Sequence, residues 1–256
     1  MRIDQLLVHR GLASTRSQAQ RLVAAGVSWR VGGHAAWTHV SKNGEDVPLQ
    51  AEIRLEDTAE ARYVSRGGLK LEAALVQSGV LPAGMICLDV GQSTGGFTDC
   101  LLQAGAAAVL GVDVGHGQLH PKLRADPRVS CVEQVNARQL DGDFPARARA
   151  TLRGDGFDLV VGDLSFISQT LVLPALVPWL RPAGGALLML VKPQFELQPG
   201  QLGSGGIVRD AALYPQVEAR IRAAHAQSGL SVCGYFDSVI RGGDGNREFF
   251  VYSVRS

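Results

Sequence analysis

Asp89-Val-Gly-Gln-Ser-Thr-Gly-Gly-Phe-Thr98 joins an apolar run at residues 85–90 to a helical pattern at residues 97–103. A glycine-rich turn that leaves a strand and opens a helix is the ligand-binding corner of a doubly wound α/β sheet. The spacing is not the G-x-G-x-x-G of dinucleotide folds. Gly91 lets the chain turn at the strand end, and Gly95 and Gly96 let backbone approach a ligand. Ser93 and Thr94 stand where a helix cap is wanted, while Asp89 is too far upstream to serve as one.

Asp89 decides between ligands. A carboxylate here would repel a pyrophosphate and attract an ammonium group. Twenty-four residues on, Asp113 closes the next strand pattern, the place from which a carboxylate accepts hydrogen bonds from ribose hydroxyls. The two acids favour S-adenosylmethionine over a nicotinamide or flavin dinucleotide. Asn136, in Asn136-Ala-Arg138 after the third strand, is a candidate partner for the adenine edge.

Strand and helix patterns continue to alternate away from this loop. A helix is expected at 69–77, strands at 109–114, 128–132 and 157–161, and a proline-broken helix at 170–180. A strand at 185–191, an amphipathic helix at 212–227 and strands at 231–240 and 248–254 follow. This order predicts an α/β fold, a Rossmann-like, mostly parallel doubly wound sheet. Ahead of it, helical spacing at 3–9, a capping-box pattern Thr15-Arg-Ser-Gln18, and strand patterns at 27–31 and 51–55 with Gly32-Gly33 turning between them predict a small α+β domain. The expected division is 1–60 for this domain, 61–68 for a basic linker and 69–256 for the catalytic domain.

Net charge is only +1 over 256 residues, but its distribution is uneven. Residues 1–44 carry six Lys or Arg against Asp4 alone, and residues 45–60 carry six acids against Arg54. A basic face at the N-terminus, with Arg2, Arg10, Arg16 and Arg21 on the helix pair, suits phosphate as well as it suits plain solvation. Four cysteines far apart in sequence fit neither zinc nor a disulfide framework and fit a reducing cytoplasm. The least polar run, 171–180, has 10 residues and two prolines, so no spanning segment is expected. His116 and His120 lie four apart but among glycines and without acid or thiol partners, so no metal is expected.

The ends of the later strands carry chemistry. Asp163 follows one strand pattern, and Lys192 follows six apolar residues and precedes a proline, a poor place for a packing residue. Lys70 opens the first helix and Glu248 begins the last strand. Taken singly, such lysines and glutamates are usually surface residues. A ribose 2′-hydroxyl, however, must be held in line with a methyl donor while its proton is drawn away. A lysine tuned by burial or a basic neighbour, with a carboxylate to orient it, can do both.

Two resemblances sharpen these expectations. The stretch R-I-D-x-L-L-x-x-x-G-L-A-S-T-R-S-Q-A-x-x-L-V-x-x-G-V, within residues 1–58, resembles the RNA-binding domain first seen in ribosomal protein four of the small subunit. It departs at Ser28-Trp29-Arg30-Val31-Gly32-Gly33, where that family usually runs valine-asparagine-glycine. Seven motifs in order resemble the TlyA, or hemolysin A-like, family: S-R-G-G-L-K-L, D-V-G-x-S-T-G-G-F-T-D-C-L-L, V-D-V-G-x-G-Q-L, D-x-S-F-I-S, L-V-K-P-Q-F-E, G-G-I-V-R-D and G-N-R-E-F. Departures are Gln92, His116 and Gly162. That resemblance implies an FtsJ-like catalytic domain that methylates cytidine 2′-oxygens of ribosomal RNA. It also implies a catalytic tetrad of Lys70, Asp163, Lys192 and Glu248, with Lys192 beside the 2′-hydroxyl. The cofactor set would be Asp89, Gly91, Ser93, Thr94, Gly95, Gly96, Phe97, Asp113, Val114, Asn136 and Asp163. Arg66 joins Arg2, Arg10, Arg16 and Arg21 as candidate RNA contacts. The expected partner is ribosomal RNA or a ribosomal subunit, with neither DNA nor membrane. A non-catalytic assembly factor would be marked by a degenerate tetrad, and a membrane-active hemolysin by an amphipathic or spanning segment.

Overall fold

Ile3, Leu6 and Leu7 fall on one helical face, and all three are buried in α1 (Ile3–His9). Thr15 caps α2 (Arg16–Ala25) by accepting from the Gln18 N–H at 3.1 Å. The Gln18 amide donates to the Tyr63 carbonyl. The computed structural model describes residues 1–13, 15–56 and 62–255. The chain divides into two units, Met1–Leu69 and Lys70–Ser256.

In the first unit, β1 (Val27–Arg30) pairs with both β2 (Thr38–His39) and β3 (Glu52–Leu55), all antiparallel. The Gly32-Gly33 turn therefore leads into β2, a two-residue strand too short to leave a sequence pattern, and not directly into β3. The expected start of a linker at residue 61 lies outside the described residues. Beyond it, Tyr63 and Val64 are buried, so this stretch is packed chain and no open tether.

The basic face is partly turned to the fold's own use. Arg2 and Arg16 both hydrogen-bond the buried Asp4 carboxylate, at 2.9–3.1 Å, and hold it far below the usual carboxylate range. Arg10 donates to the carbonyls of Leu49 and Ala51. Because the folded value of Asp4 is depressed, its contribution is present above the unfolded value near 4 and fades as pH falls through the folded one. Asp4→Ala should cost about 1.5–3 kcal/mol at pH 7, the range for hydrogen bonds to charged groups. Denaturant melts at pH 7 and pH 3 check this, with the gap between variant and wild type narrowing in acid.

The second unit begins its core with α3 (Gly67–Ser78), whose first residues cross the division, and β4 (Ile86–Val90). Then come α4 (Gly96–Gln103), β5 (Ala108–Val112), α5 (Pro121–Arg124), β6 (Val129–Val132), α6 (Phe144–Thr151) and β7 (Leu159–Gly162). The proline-rich stretch forms only short pieces, with α7 (Leu173–Leu176) between two 3-10 turns. β8 (Ala186–Val191), α8 (Pro193–Glu196), α9 (Leu213–Gln227), β9 (Leu230–Asp237) and β10 (Phe249–Arg255) complete it. The order across the sheet is β6-β5-β4-β7-β8-β10-β9. Five strands are parallel, and β10 runs against both β8 and β9.

This topology positions the site. Parallel β4, β5, β7 and β8 deliver their C-terminal ends to one edge, as in other doubly wound sheets. The reversed β10 begins at that same edge. Phe249 pairs with Val191, so Glu248 enters β10 level with the point where Lys192 leaves β8. β4 and β8 are buried along their whole length, the continuous apolar reading expected of strands covered on both faces.

Candidate active site

A cavity of about 780 Å³ opens at the strand ends, lined by Gly91, Ser93, Asp113, Val114, Asn136 and Asp163 among others. Gly91 has φ +80°, and a Cβ there would lie 2.7 Å from the Asp163 carbonyl oxygen. Only glycine lets the two loops pass so closely. Asp113 holds the rim together: Oδ2 accepts from the Ser93 N–H at 2.8 Å and Oδ1 from the Gly115 N–H at 2.7 Å. Val114 is 71% exposed, an apolar wall beside those polar groups.

Asp89 is buried, and its Oδ2 accepts from Thr98 Oγ1 at 2.7 Å. The carboxylate also accepts the Thr98 backbone N–H. Asp89 thus caps α4 from the strand, contrary to the expectation from its distance in sequence. The cap residue of the helix itself is Gly95, at φ 95°, with no side-chain bond. A strand and the following helix lie side by side, so sequence distance is a poor measure of reach. Oδ1 of Asp89 is buried and meets no donor among the described residues. Burial is the largest influence on this carboxyl, reinforced by Asp163 and Asp113, and raises it to about 7 despite the Thr98 bonds.

Other expected cofactor residues sit elsewhere. Phe97 is buried and stacks on Phe250, with centroids 6.2 Å apart, so it packs the core. Gly95 is demanded by Leu123, whose Cδ1 would lie 2.4 Å from an added Cβ. Thr94 gives its carbonyl to the His120 N–H. Neither Asp89, Thr94, Gly95, Gly96 nor Phe97 lines the cavity, although Gly91, two residues after Asp89, does. Asn136 lines it, but its Oδ1 accepts from the Arg138 N–H at 3.0 Å and closes its own turn. Gln92 is buried, donating from Nε2 to Thr98 Oγ1 at 2.8 Å. The two histidines are engaged separately: His116 faces Glu133 at 2.9 Å, and His120 accepts from the Lys122 N–H.

The four tetrad positions come together from distant points in sequence. Lys70 Nζ donates to Glu248 Oε2 at 2.5 Å, both side chains nearly inaccessible. Lys192 Nζ lies 2.6 Å from Asp163 Oδ1 and donates to Ser165 Oγ at 2.8 Å. Burial raises Glu248, Lys70 opposes that rise, and Asp163 and Lys192 also act on it, which makes the two pairs one electrostatic cluster. Ser165 is not among the residues singled out from the sequence, although it is the first serine of the D-x-S-F-I-S motif.

Comparison with known proteins agrees with this arrangement. Residues 63–255 match the FtsJ-like methyltransferase family and residues 1–26 the S4 domain. The "16S/23S rRNA (cytidine-2'-O)-methyltransferase TlyA" of Mycobacterium tuberculosis is 42% identical over 255 residues, 98% of this chain and 88% of that protein. "Hemolysin A" of Brachyspira hyodysenteriae is 35% identical over 260 residues, 99% of this chain and 100% of its own. A solved structure named as a candidate hemolysin from Streptococcus thermophilus is 40% identical, with a TM-score of 0.74 over 100% of this chain and 88% of that one. Strand order, strand-end residues and near full-length identity converge: the chain belongs to the TlyA family of FtsJ-like methyltransferases.

Proposed function

We propose that the protein transfers a methyl group from S-adenosylmethionine to the 2′-hydroxyl of a cytidine in ribosomal RNA. The observation that carries this reading is the Lys70–Glu248 and Lys192–Asp163 cluster beside a cavity walled by carboxylates. The methyl donor fits the residues present. Its ammonium suits Asp89 Oδ1, a buried oxygen with no donor among the described residues, and Asp89, Asp113 and Asp163 together attract a cationic ligand. Asp113 retains lone pairs for ribose hydroxyls, and Val114 offers an apolar face to the base.

When bound, the cofactor supplies an electrophilic methyl on a sulfonium. The chain's own part is to hold the acceptor oxygen in line and to offset the negative charge that grows there as its proton passes to water. Lys192 Nζ is the group assigned to that oxygen. Asp163 holds Lys192 and faces the cofactor, while Lys70 and Glu248 brace the acceptor side. In the first unit, Arg2, Arg10, Arg16 and Arg21, with Arg66 before α3, are assigned to ribosomal RNA backbone. Arg2 and Arg16 share Asp4, so the cluster stays positive and preorganised. The division into an RNA-binding segment at 1–60 and a catalytic segment from 69 belongs to the same reading. We place the activity in the cytoplasm, in keeping with free cysteines at 87, 100, 131 and 233.

The experiment is transfer of labelled methyl from S-adenosylmethionine to isolated ribosomal subunits, followed by digestion to nucleosides. Label in 2′-O-methylcytidine is expected, and a 2′-deoxy substitution at the mapped nucleotide should abolish it. Label on a base, or none in either subunit, would overturn the reading. A lytic role finds less support, since among the described residues no helix is long and apolar enough to cross a membrane.

A further inference from the structure

Lys192 is restrained by two groups of different kind. Asp163 Oδ1 lies 2.6 Å from Nζ as an ion pair, yet it receives no aligned hydrogen bond among the described residues. Coulomb attraction fixes how near the two groups sit and constrains rotation of the ammonium weakly. Ser165 Oγ, at 2.8 Å, accepts an aligned hydrogen bond from Nζ. Such a bond weakens steeply when bent. The carboxylate sets distance, and the hydroxyl sets direction.

The loop that presents Ser165 is held at both ends. Asp163 donates its N–H to the Val90 carbonyl at 3.1 Å. At the far end, Ser168 Oγ and the Gln169 N–H donate to the buried Glu196 carboxylate at 2.5 and 2.8 Å. Lys192 and Glu196 belong to one short segment, so a single stretch grips the loop at Ser165 and again at Ser168. Between these grips Phe166 has φ +64°. A non-glycine residue takes that conformation only where its surroundings impose it, and such places gather at functional sites. Ser165 and Phe166 both line the cavity.

We propose that Ser165 is a positioning residue for methyl transfer. Its hydroxyl oxygen, presented by the strained loop, accepts from Lys192 Nζ and turns that group toward the ribose hydroxyl. The role rests on the 2′-O-methyltransferase reading above and adds a fifth member to the implied tetrad.

The test uses the full-length protein, ribosomal subunits and labelled S-adenosylmethionine in single turnovers. Ser165→Ala should slow transfer by about 10- to 100-fold, while calorimetry finds cofactor affinity within about twofold of wild type. Ser165→Thr, which keeps the hydroxyl, should recover most of the rate. Because Ser165 acts through Lys192, adding Ser165→Ala to Lys192→Ala should slow transfer no further. A wild-type rate for Ser165→Ala beside an inactive Lys192→Ala overturns the positioning role and leaves the methyltransferase reading intact. So does a parallel loss of cofactor affinity, or a full additive loss in the double variant. Normal transfer by Lys192→Ala would remove both Lys192 and Ser165 from the chemistry.

Discussion

Lys192→Ala is expected to slow methyl transfer by about 10²–10⁴-fold, the usual consequence of losing a positioned acid–base group. The amine leaves a fully buried strand, precedes Pro193 and reaches Asp163 and Ser165 across the neighbouring strand end. Lys70, the other lysine of the cluster, is committed to Glu248. Cofactor affinity should change little, since Asp89, Gly91 and Asp113 are untouched. Lys192→Arg should not restore the rate. A guanidinium is longer and spreads its donors over a plane, where one compact nitrogen is required. Single-turnover transfer beside cofactor titration separates the two halves, and near-normal transfer by the alanine variant would sink the assignment.

Cofactor affinity should depend on pH because of Asp89. Its carboxyl is raised to about 7, chiefly by burial, so near neutrality a large share is protonated before the ligand arrives. An ammonium needs the ionised form, so binding releases a proton. The sign follows from the raised value. In the unliganded fold this group is destabilising from its unfolded value near 4 upward, and the penalty levels off above about 7. A bound cation relieves that penalty and gains most where the carboxylate is already ionised. Affinity should therefore weaken by about five- to tenfold between pH 7.5 and pH 6. Asp89→Asn should abolish this dependence and weaken binding at pH 7.5 by about 1.5–3 kcal/mol, the range for hydrogen bonds to a charged group. Calorimetry across the range settles it, and a flat wild-type profile would separate Asp89 from the ammonium.

What could be read in advance follows a physical division. The alternation from residue 69 onward was legible because the central strands β7 and β8 are short apolar runs bounded by glycine or a charge. Lys192 and Asp163 stood out because charges rarely end such runs without purpose. Contacts made by folding were not legible. Asp89 reaches Thr98 because β4 and α4 lie side by side, and Asp4 collects Arg2 and Arg16 across two helices. Phe97 belongs to the cofactor set only through the family resemblance, and the turn of α4 sends it to Phe250. Strand β2 was missed because two exposed residues have no periodicity to detect.

Gln92 and Gly111 carry a consequence for how this chain could change by descent. A Cβ on Gly111 would lie 1.9 Å from Gln92 Cδ, well inside any tolerable contact. The glycine on β5 is therefore the complement of a long buried amide on the neighbouring loop. Because the two residues touch, their substitutions are not independent events. A side chain at 111 requires either that position 92 shorten or that the Gln92 amide swing off Thr98. A lineage that kept Gln92 would thus vary Gly111 at the expense of that buried hydrogen bond.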